Sequence, residues 1–455
     1  MSLQPRPTRR DLLLGSASLL ATIAVGGCTQ QETPEEPVQP TSTPNIVPEL
    51  VEPVSLNIMS WPYRQDLLKN IVDRFHLLNP DVVVSFSDVR AEYGTTVETA
   101  IISGQRVNVV LVREGQAGLW WSKKLLQPLS GVASFDTVAE TLFPAARRGV
   151  EIEGKLIGLP FYNDAIFLAC NESMMDKIGA GPPETWEELL LYSRTLRNRG
   201  LSRWPLSLNF SPKANANLPW WAMVYGAGGN LREPSDELRD AEPKGIVPRL
   251  LRMLRAFLVE DLILNPDFGE TSYSAILEGN TAFSLVGSYL GRIAAHQFTN
   301  HSSPLIRFAK VPGLDTPAVS TVGWTPFYSV PTTASNLDLS ALLTLHLGAI
   351  DGTGDFFASR VWALQEGLPP AYPSVLHEAD VRSQFQAWID LELLEDTFAS
   401  AKPVEALWEP WFSTWEYWMQ DELQAALWGS KTDLAAANSI NRYAHGLSRR
   451  LRLEP

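Results

Sequence analysis

Between residues 55 and 112 the sequence alternates between two hydrophobic periods, and this limits the folds open to the chain more than any other feature. SLNIMSW (55–61) reads as a strand. RQDLLKNIVDRFHLL (64–78) places its apolar residues at helical spacing and is closed by Asn79-Pro80. DVVVSFSD (81–88) reads as a second strand, TTVETAIISG (95–104) as a helix ended by glycine, and NVVLV (108–112) as a third strand. Strand, helix, strand, helix, strand predicts parallel α/β layering. Ligands of such sheets bind beyond the carboxyl ends of the strands. Those ends are Trp61-Pro62-Tyr63-Arg64, Asp88-Val89-Arg90 and Arg113-Glu114-Gly115, which gather aromatic and charged residues that a purely structural loop would not need.

The first 53 residues belong to a different kind of segment. Arg6, Arg9, Arg10 and Asp11 are followed by a run without charge from Leu12 to Gly27, a basic head and short apolar core that read as an export signal over 1–27. Its strongly apolar part is too short to cross a hydrocarbon layer about 30 Å thick. TRRDLLL resembles a twin-arginine signal, with leucine where such signals prefer phenylalanine, so the twin-arginine and general export routes both stay open. Val25-Gly26-Gly27-Cys28 resembles a lipobox, which predicts lipidation of Cys28 and anchoring of the chain to a membrane outside the cytoplasm. Residues 28–53 are rich in proline and glutamate, without Lys, Arg or aromatic residues, and read as an extended tether.

The remaining 400 or so residues are typical of two domains. They keep −11 of the net charge of −14 and hold all 15 Trp. An acidic body without basic clusters argues against nucleic acid as a partner. Only Cys170 remains after Cys28, so the body has no internal disulfide; its place in AIFLAC marks it as a buried small residue.

GKLIGLPFYNDAIFLACNESMMDKIGAGPPETWEELL (154–190) resembles a segment of the family 1 extracellular solute-binding proteins, the sugar-binding components of ABC importers. Gly154, Gly158, Pro160, Asn171, Pro183, Thr185, Trp186, Glu188 and Leu189 stand at matching positions, while Cys170 replaces the usual aromatic residue. Thr185 and Glu188 also have the spacing of a capping box. Gly226-Ala227-Gly228-Gly229, Gly279-Asn280-Thr281-Ala282-Phe283 with Gly287-Ser288-Tyr289, and Gly367-Leu368-Pro369-Pro370 extend the similarity through the body. The resemblance implies an α/β, two-lobe periplasmic-binding-protein fold with a hinge and an interlobe ligand cleft. The N-terminal lobe would comprise 54–162 and 308–360, and the C-terminal lobe 163–307 and 361–455. It further implies a monomer, anchored through Cys28, that captures a sugar, oligosaccharide or polyol by hinge closure and delivers it to ABC transporter permease subunits.

A sugar offers hydroxyls at its rim and C–H patches on its faces, so its site needs flat aromatic surface beside planar polar groups. In the first lobe the candidates are Trp61, Tyr63, Asp88 and Glu114, with Asn163 and Asp164 at the hinge. In the second they are Trp220 or Trp221, of which helical geometry turns at most one to the cleft, with Ser288, Tyr289, Trp324 and Tyr328. Trp408, Trp411, Trp415 and Trp418, spaced 3, 4 and 3, predict one helical face packed in the core. His296 and His301 read as solvated helix-end residues, and none of the six histidines has the spacing of a metal site. No nucleophile elbow or phosphate-binding loop is present, so neither a catalytic residue nor a cofactor is expected. An exported hydrolase using two carboxylates, or a binding subunit that feeds a sensor, are the competing readings.

Overall fold

The structure is a computed structural model that describes residues 53–132, 134–208, 217–229, 245–264, 272–290 and 305–453. Cys28, the leader, most of the tether, His296 and His301 lie outside the described residues. The expected alternation forms as β1 (Val54–Ser60), α1 (Gln65–Leu78), β2 (Val82–Asp88), α2 (Tyr93–Ile102) and β3 (Val109–Val112), followed by α3 (Glu114–Ser122). β1 pairs in parallel with both β2 and β3.

Successive side chains of these strands feed two cores, because a strand projects alternate residues to opposite faces. Leu56 and Ile58 of β1, with Val109 and Leu111 of β3, meet Leu68, Ile71 and Phe75 of α1. Met59, Val110 and Val112 meet Val97 and Ile101 of α2 on the other face.

β4 (Glu151–Ile152) and β5 (Lys155–Leu156) form the glycine hairpin, turning at Gly154 with φ +74°. β6 (Leu159–Pro160) ends the first pass, and β7 (Asp164–Asn171) opens the second lobe. The second lobe adds β8 (Leu206–Ser207), β9 (Ile263–Leu264), β10 (Phe283–Gly287), β11 (Ile306–Ala309) and β12 (Gly323–Trp324). The chain then returns as β13 (Phe327–Ser329).

The first sheet has the order β2-β1-β3-β13-β6 and the second β11-β7-β10-β8-β9, with β12 also on β7. All eight residues of β7 are buried. Ile166, Leu168 and Cys170 enter the second-lobe core, and Ala165, Phe167 and Ala169 the core on the opposite face.

The return to the first sheet falls at 325–326, since β11 and β12 both pair with β7. Helix Phe357–Glu366 contributes Trp362 to the core that holds α1. Sequence placed the return near 308; a short apolar strand such as IRFA reads alike in either sheet, and only long-range pairing assigns it.

Two helix starts follow their sequence signals. Asn171 accepts from Met174 N at 3.2 Å, and Thr185 Oγ1 accepts from Glu188 N at 3.2 Å. Glu188 Oε2 reaches back to accept from Glu184 N at 2.8 Å. Thr185→Ala is expected to lower stability by about 1 kcal/mol, read as a lower urea midpoint at constant slope. A midpoint equal to the parent's would mean that this cap contributes nothing.

The tryptophan run departs from the expected single face. Helix Phe412–Leu427 begins only after Trp411, because Pro410 lacks an N–H and keeps Glu409 extended at φ −81°, ψ 131°. Trp411 and Trp415 are buried, Trp408 sits half-buried in a 3₁₀ turn (Glu405–Trp408), and Trp418 is 39% exposed, its ring tilted against Tyr443.

Candidate functional site

β1, β2, β3 and β6 run in one direction and β13 against them, so five connections meet at one edge of the first sheet. The second sheet presents the start of β7 and the end of β10 to the same place. There β10 lies antiparallel to β7 with Gly287 opposite Ile166, and Trp324 lies opposite Asp164. The crossings 161–163 and 325–326 are tied together. Phe161 N donates to Pro326 O at 2.8 Å, and Thr325 Oγ1 donates to Asn163 Oδ1 at 3.0 Å.

Asn163 and Asp164 are completely buried at this junction. Asp164 Oδ1 accepts from Ala165 N at 2.8 Å, from Ser288 N at 2.7 Å and from the Ser288 hydroxyl. Its Oδ2 and Asn163 Nδ2 have no hydrogen-bond partner among the described residues. Burial pushes the Asp164 carboxyl up to about 7, against the opposing pull of the hydrogen bonds it accepts. Such orphaned buried atoms are costly and need a reason. A polar ligand is one.

The first-lobe wall begins at Trp61, whose ring meets Tyr93 edge-on at 5.6 Å and lies under the Arg113 guanidinium at 5.4 Å. The Tyr93 hydroxyl donates to Leu111 O, and burial raises its pKa. Arg64 and Glu92, the residues before α1 and α2, adopt left-handed conformations at φ 41° and 46°. Strain of this kind concentrates at ligand-facing loops. Gln65 Nε2 and Gln116 Oε1, each in the first turn of a helix that leaves this edge, are buried without partners among the described residues. Asp88 is exposed at the end of β2; Glu114 opens α3, and its side chain lies outside the described part.

From the second lobe, Tyr289 is partly buried against the first-lobe core, and Trp324 against the second-lobe core. A Cβ on Gly287 would meet Tyr289 Cε1 at 2.6 Å and Trp324 Cη2 at 3.0 Å, so the two rings close over that glycine. Tyr162 completes the aromatic border. Farther along the edge the lobes touch at Gly118 of α3, where a Cβ would fall 2.5 Å from Leu407 O, and where Ser413 Oγ donates to Gly115 O at 3.2 Å.

Thus Trp61, Asn163, Asp164, Ser288, Tyr289 and Trp324 gather at the junction. Trp220 and Trp221 do not: both are core residues, 2% and 0% exposed, and Trp221 packs on Tyr225 and Trp415. Their helix, Asn217–Gly226, is buried on nearly every side, so neither neighbour is left for the cleft. Tyr328 does not reach the junction either. It sits in the middle of the first sheet on β13, its ring against Phe161 at 5.8 Å, and burial raises its pKa. Tyr63 is 37% exposed, but its hydroxyl donates to Glu366 Oε2 at 2.8 Å. Gln65, Tyr93, Gln116 and Tyr162 carry no signal of their own in the sequence, although each lies within a few residues of a strand end or crossing that does. Among the described residues no group of His, Cys, Asp and Glu could hold a metal ion.

The family model described as "Bacterial extracellular solute-binding protein" matches residues 61–341. The mannitol-binding protein of Pseudomonas aeruginosa is 29% identical over 110 residues, 24% of this chain and 24% of its own length; the matched stretch is thus about a quarter of that relative. Maltose-bound MalE3 of T. maritima superposes with a TM-score of 0.70 at 16% identity, covering 87% of this chain and all of that one. A solute-binding protein of Agrobacterium vitis with bound D-mannitol gives 0.65 at 15% identity, covering 87% and 99%.

Proposed function

Because the chain belongs to the bacterial extracellular solute-binding proteins, we propose that it captures a sugar, oligosaccharide or polyol between its lobes and delivers it to the permease of an ABC transporter. The observation that carries this reading is the junction itself. Orphaned planar polar groups on Asn163, Asp164, Gln65 and Gln116 lie at one sheet edge with the rings of Trp61, Tyr289 and Trp324. Amides and a carboxylate suit hydroxyl groups, which both donate and accept, and the rings suit C–H faces. The relatives' bound or named solutes, maltose and mannitol, belong to the same chemical class.

In this reading the crossings 161–163 and 325–326 form a hinge, and ligand contacts with both lobes stabilise the closed state that the permease recognises. Lipidation of Cys28 and the tether would hold the body at the outer face of a membrane. No covalent step is required.

The test is a melting screen of residues 54–455 against D-mannitol, maltose, maltotriose, other mono- and disaccharides, and glycerol 3-phosphate. A ligand at 100 times its Kd should add about 2.7 kcal/mol. A hit recovered unchanged supports a receptor. Recovery of cleaved product would replace it with a hydrolase, and silence across the panel would remove sugars and polyols as the solute class.

A further inference from the structure

The loop that carries Trp61 is fastened from a distant part of the chain. Glu366, the last residue of helix Phe357–Glu366, is only 3% exposed, yet it is a carboxylate. It receives the Tyr63 hydroxyl on Oε2 at 2.8 Å and the Arg64 guanidinium on Oε1. Tyr63 stacks on Trp362 of the same helix, ring centroids 6.2 Å apart at 23°, and Phe161 packs edge-on to Trp362 at 4.7 Å. Three residues beyond Glu366, Pro369 O accepts from Asn163 N at 3.0 Å, so one short segment touches both the loop and the crossing.

Arg64 holds φ 41° and ψ 58°, a left-handed conformation that is sterically disfavoured for a residue with a Cβ. Its other partner, Asp66, is exposed and only two residues away, so it cannot fix the loop against the rest of the lobe. The Arg64 carbonyl nevertheless accepts the first helical bonds of α1, from Leu67 N at 3.0 Å and Leu68 N at 3.1 Å. Whatever holds Arg64 in this conformation therefore sets both the direction of α1's first turn and the place of Trp61 and Gln65.

We propose that Glu366 is a positioning residue for the ligand. By clamping Tyr63 and Arg64 it keeps the loop 61–65 in its strained turn, with the Trp61 ring and the Gln65 amide held ready at the sheet edge. Tyr63 is then part of the support rather than of the contact surface. The proposal rests on the solute-binding reading for its consequence, but its structural half stands without a ligand.

The experiment compares the parent protein with Glu366→Gln, Glu366→Ala and Glu366→Ala combined with Arg64→Gly. Glycine adopts the left-handed turn without strain, and the double variant leaves no buried charge unpaired. Hydrogen exchange is followed at Leu67 and Leu68, with Leu56, Ile58 and Val110 as references inside the sheet. Binding is measured by calorimetry with D-mannitol and with maltose.

Glu366→Ala is expected to speed exchange at Leu67 and Leu68 at least tenfold with the sheet amides unchanged. Glu366→Gln, which keeps the Tyr63 bond, should fall between, and the double variant should return to within threefold of the parent. Affinity for a probe that binds the parent should fall at least tenfold in Glu366→Ala and recover in the double variant. Unchanged exchange, equal acceleration throughout the first lobe, or parent-like affinity with a loosened loop would each overturn the proposal. If Glu366→Ala fails to fold, Glu366→Gln decides by the same criteria. If neither probe binds the parent, the exchange result decides alone, and only the choice of solute is lost.

Discussion

Asp164→Asn is expected to flatten the pH dependence of stability. In the folded chain burial raises the Asp164 carboxyl from 3.8 to about 7. Below about pH 4 both states hold the proton, and ionisation costs nothing. Between about pH 4 and 7 the unfolded chain releases a proton that the folded chain keeps, so stability falls as the pH rises. Above about pH 7 the loss is complete. A shift of about three units corresponds to roughly 4 kcal/mol, of which about 3 should appear between pH 5 and 8. The groups that act on the Asp164 carboxyl, the backbone N–H groups of Ala165, Ser288 and Tyr289 and the Ser288 hydroxyl, are uncharged. Among the described residues no charged group therefore masks the effect. Asparagine keeps the acceptor that serves Ser288 and cannot ionise. The difference in unfolding free energy between variant and parent should move in favour of the variant as the pH rises from 5 to 8. Parallel stability curves for the two proteins would show that Asp164 is not held neutral by the fold.

The second large effect is expected on binding. Trp61→Ala removes the aromatic face that Tyr93 and Arg113 hold at the end of β1. Central aromatic anchors commonly contribute 2 kcal/mol or more, so affinity for the solute found in the melting screen should fall about 100-fold, or about 2.7 kcal/mol. Trp418→Ala is the matched control, because Trp418 packs at a tilt against Tyr443 in the closing helices. It should leave affinity unchanged. Binding by Trp61→Ala within threefold of the parent would move the site away from this edge.

The alternation that opens the body was legible because strand and helix periods differ and each element is short. Strand ends at Trp61, Asp88 and Arg113 follow from it, and so does the edge at which the candidate site is placed. The junction was legible at Asn163, Asp164, Ser288 and Tyr289 through their place in the family resemblance. Trp220, Trp221 and Tyr328 were not, since an aromatic residue in an apolar run fits a core and a cleft equally well until the opposing surface is known. Trp221 is claimed by Trp415, nearly two hundred residues away. Gln65 and Gln116 escaped notice for another reason. A glutamine near a helix start carries no local signal, and only the absence of a partner among the described residues distinguishes it. Glu366 is similar: its meaning lies in Tyr63 and Arg64, three hundred residues upstream.

The order of strands in the first sheet also sets a timetable for biosynthesis. β13, only three residues long, lies between β3 and β6, so the sheet has a gap in its interior until residue 329 has left the ribosome. Trp362, which closes one face of that lobe, emerges later still. A nascent chain of 320 residues therefore contains most of two lobes and no finished one. Its apolar strands β3 and β6 wait with unpaired edges, the condition in which long-range β proteins fold slowly and aggregate readily. Protection of that waiting chain, by a chaperone or by threading it through a membrane before it can collapse, is a requirement written into the topology.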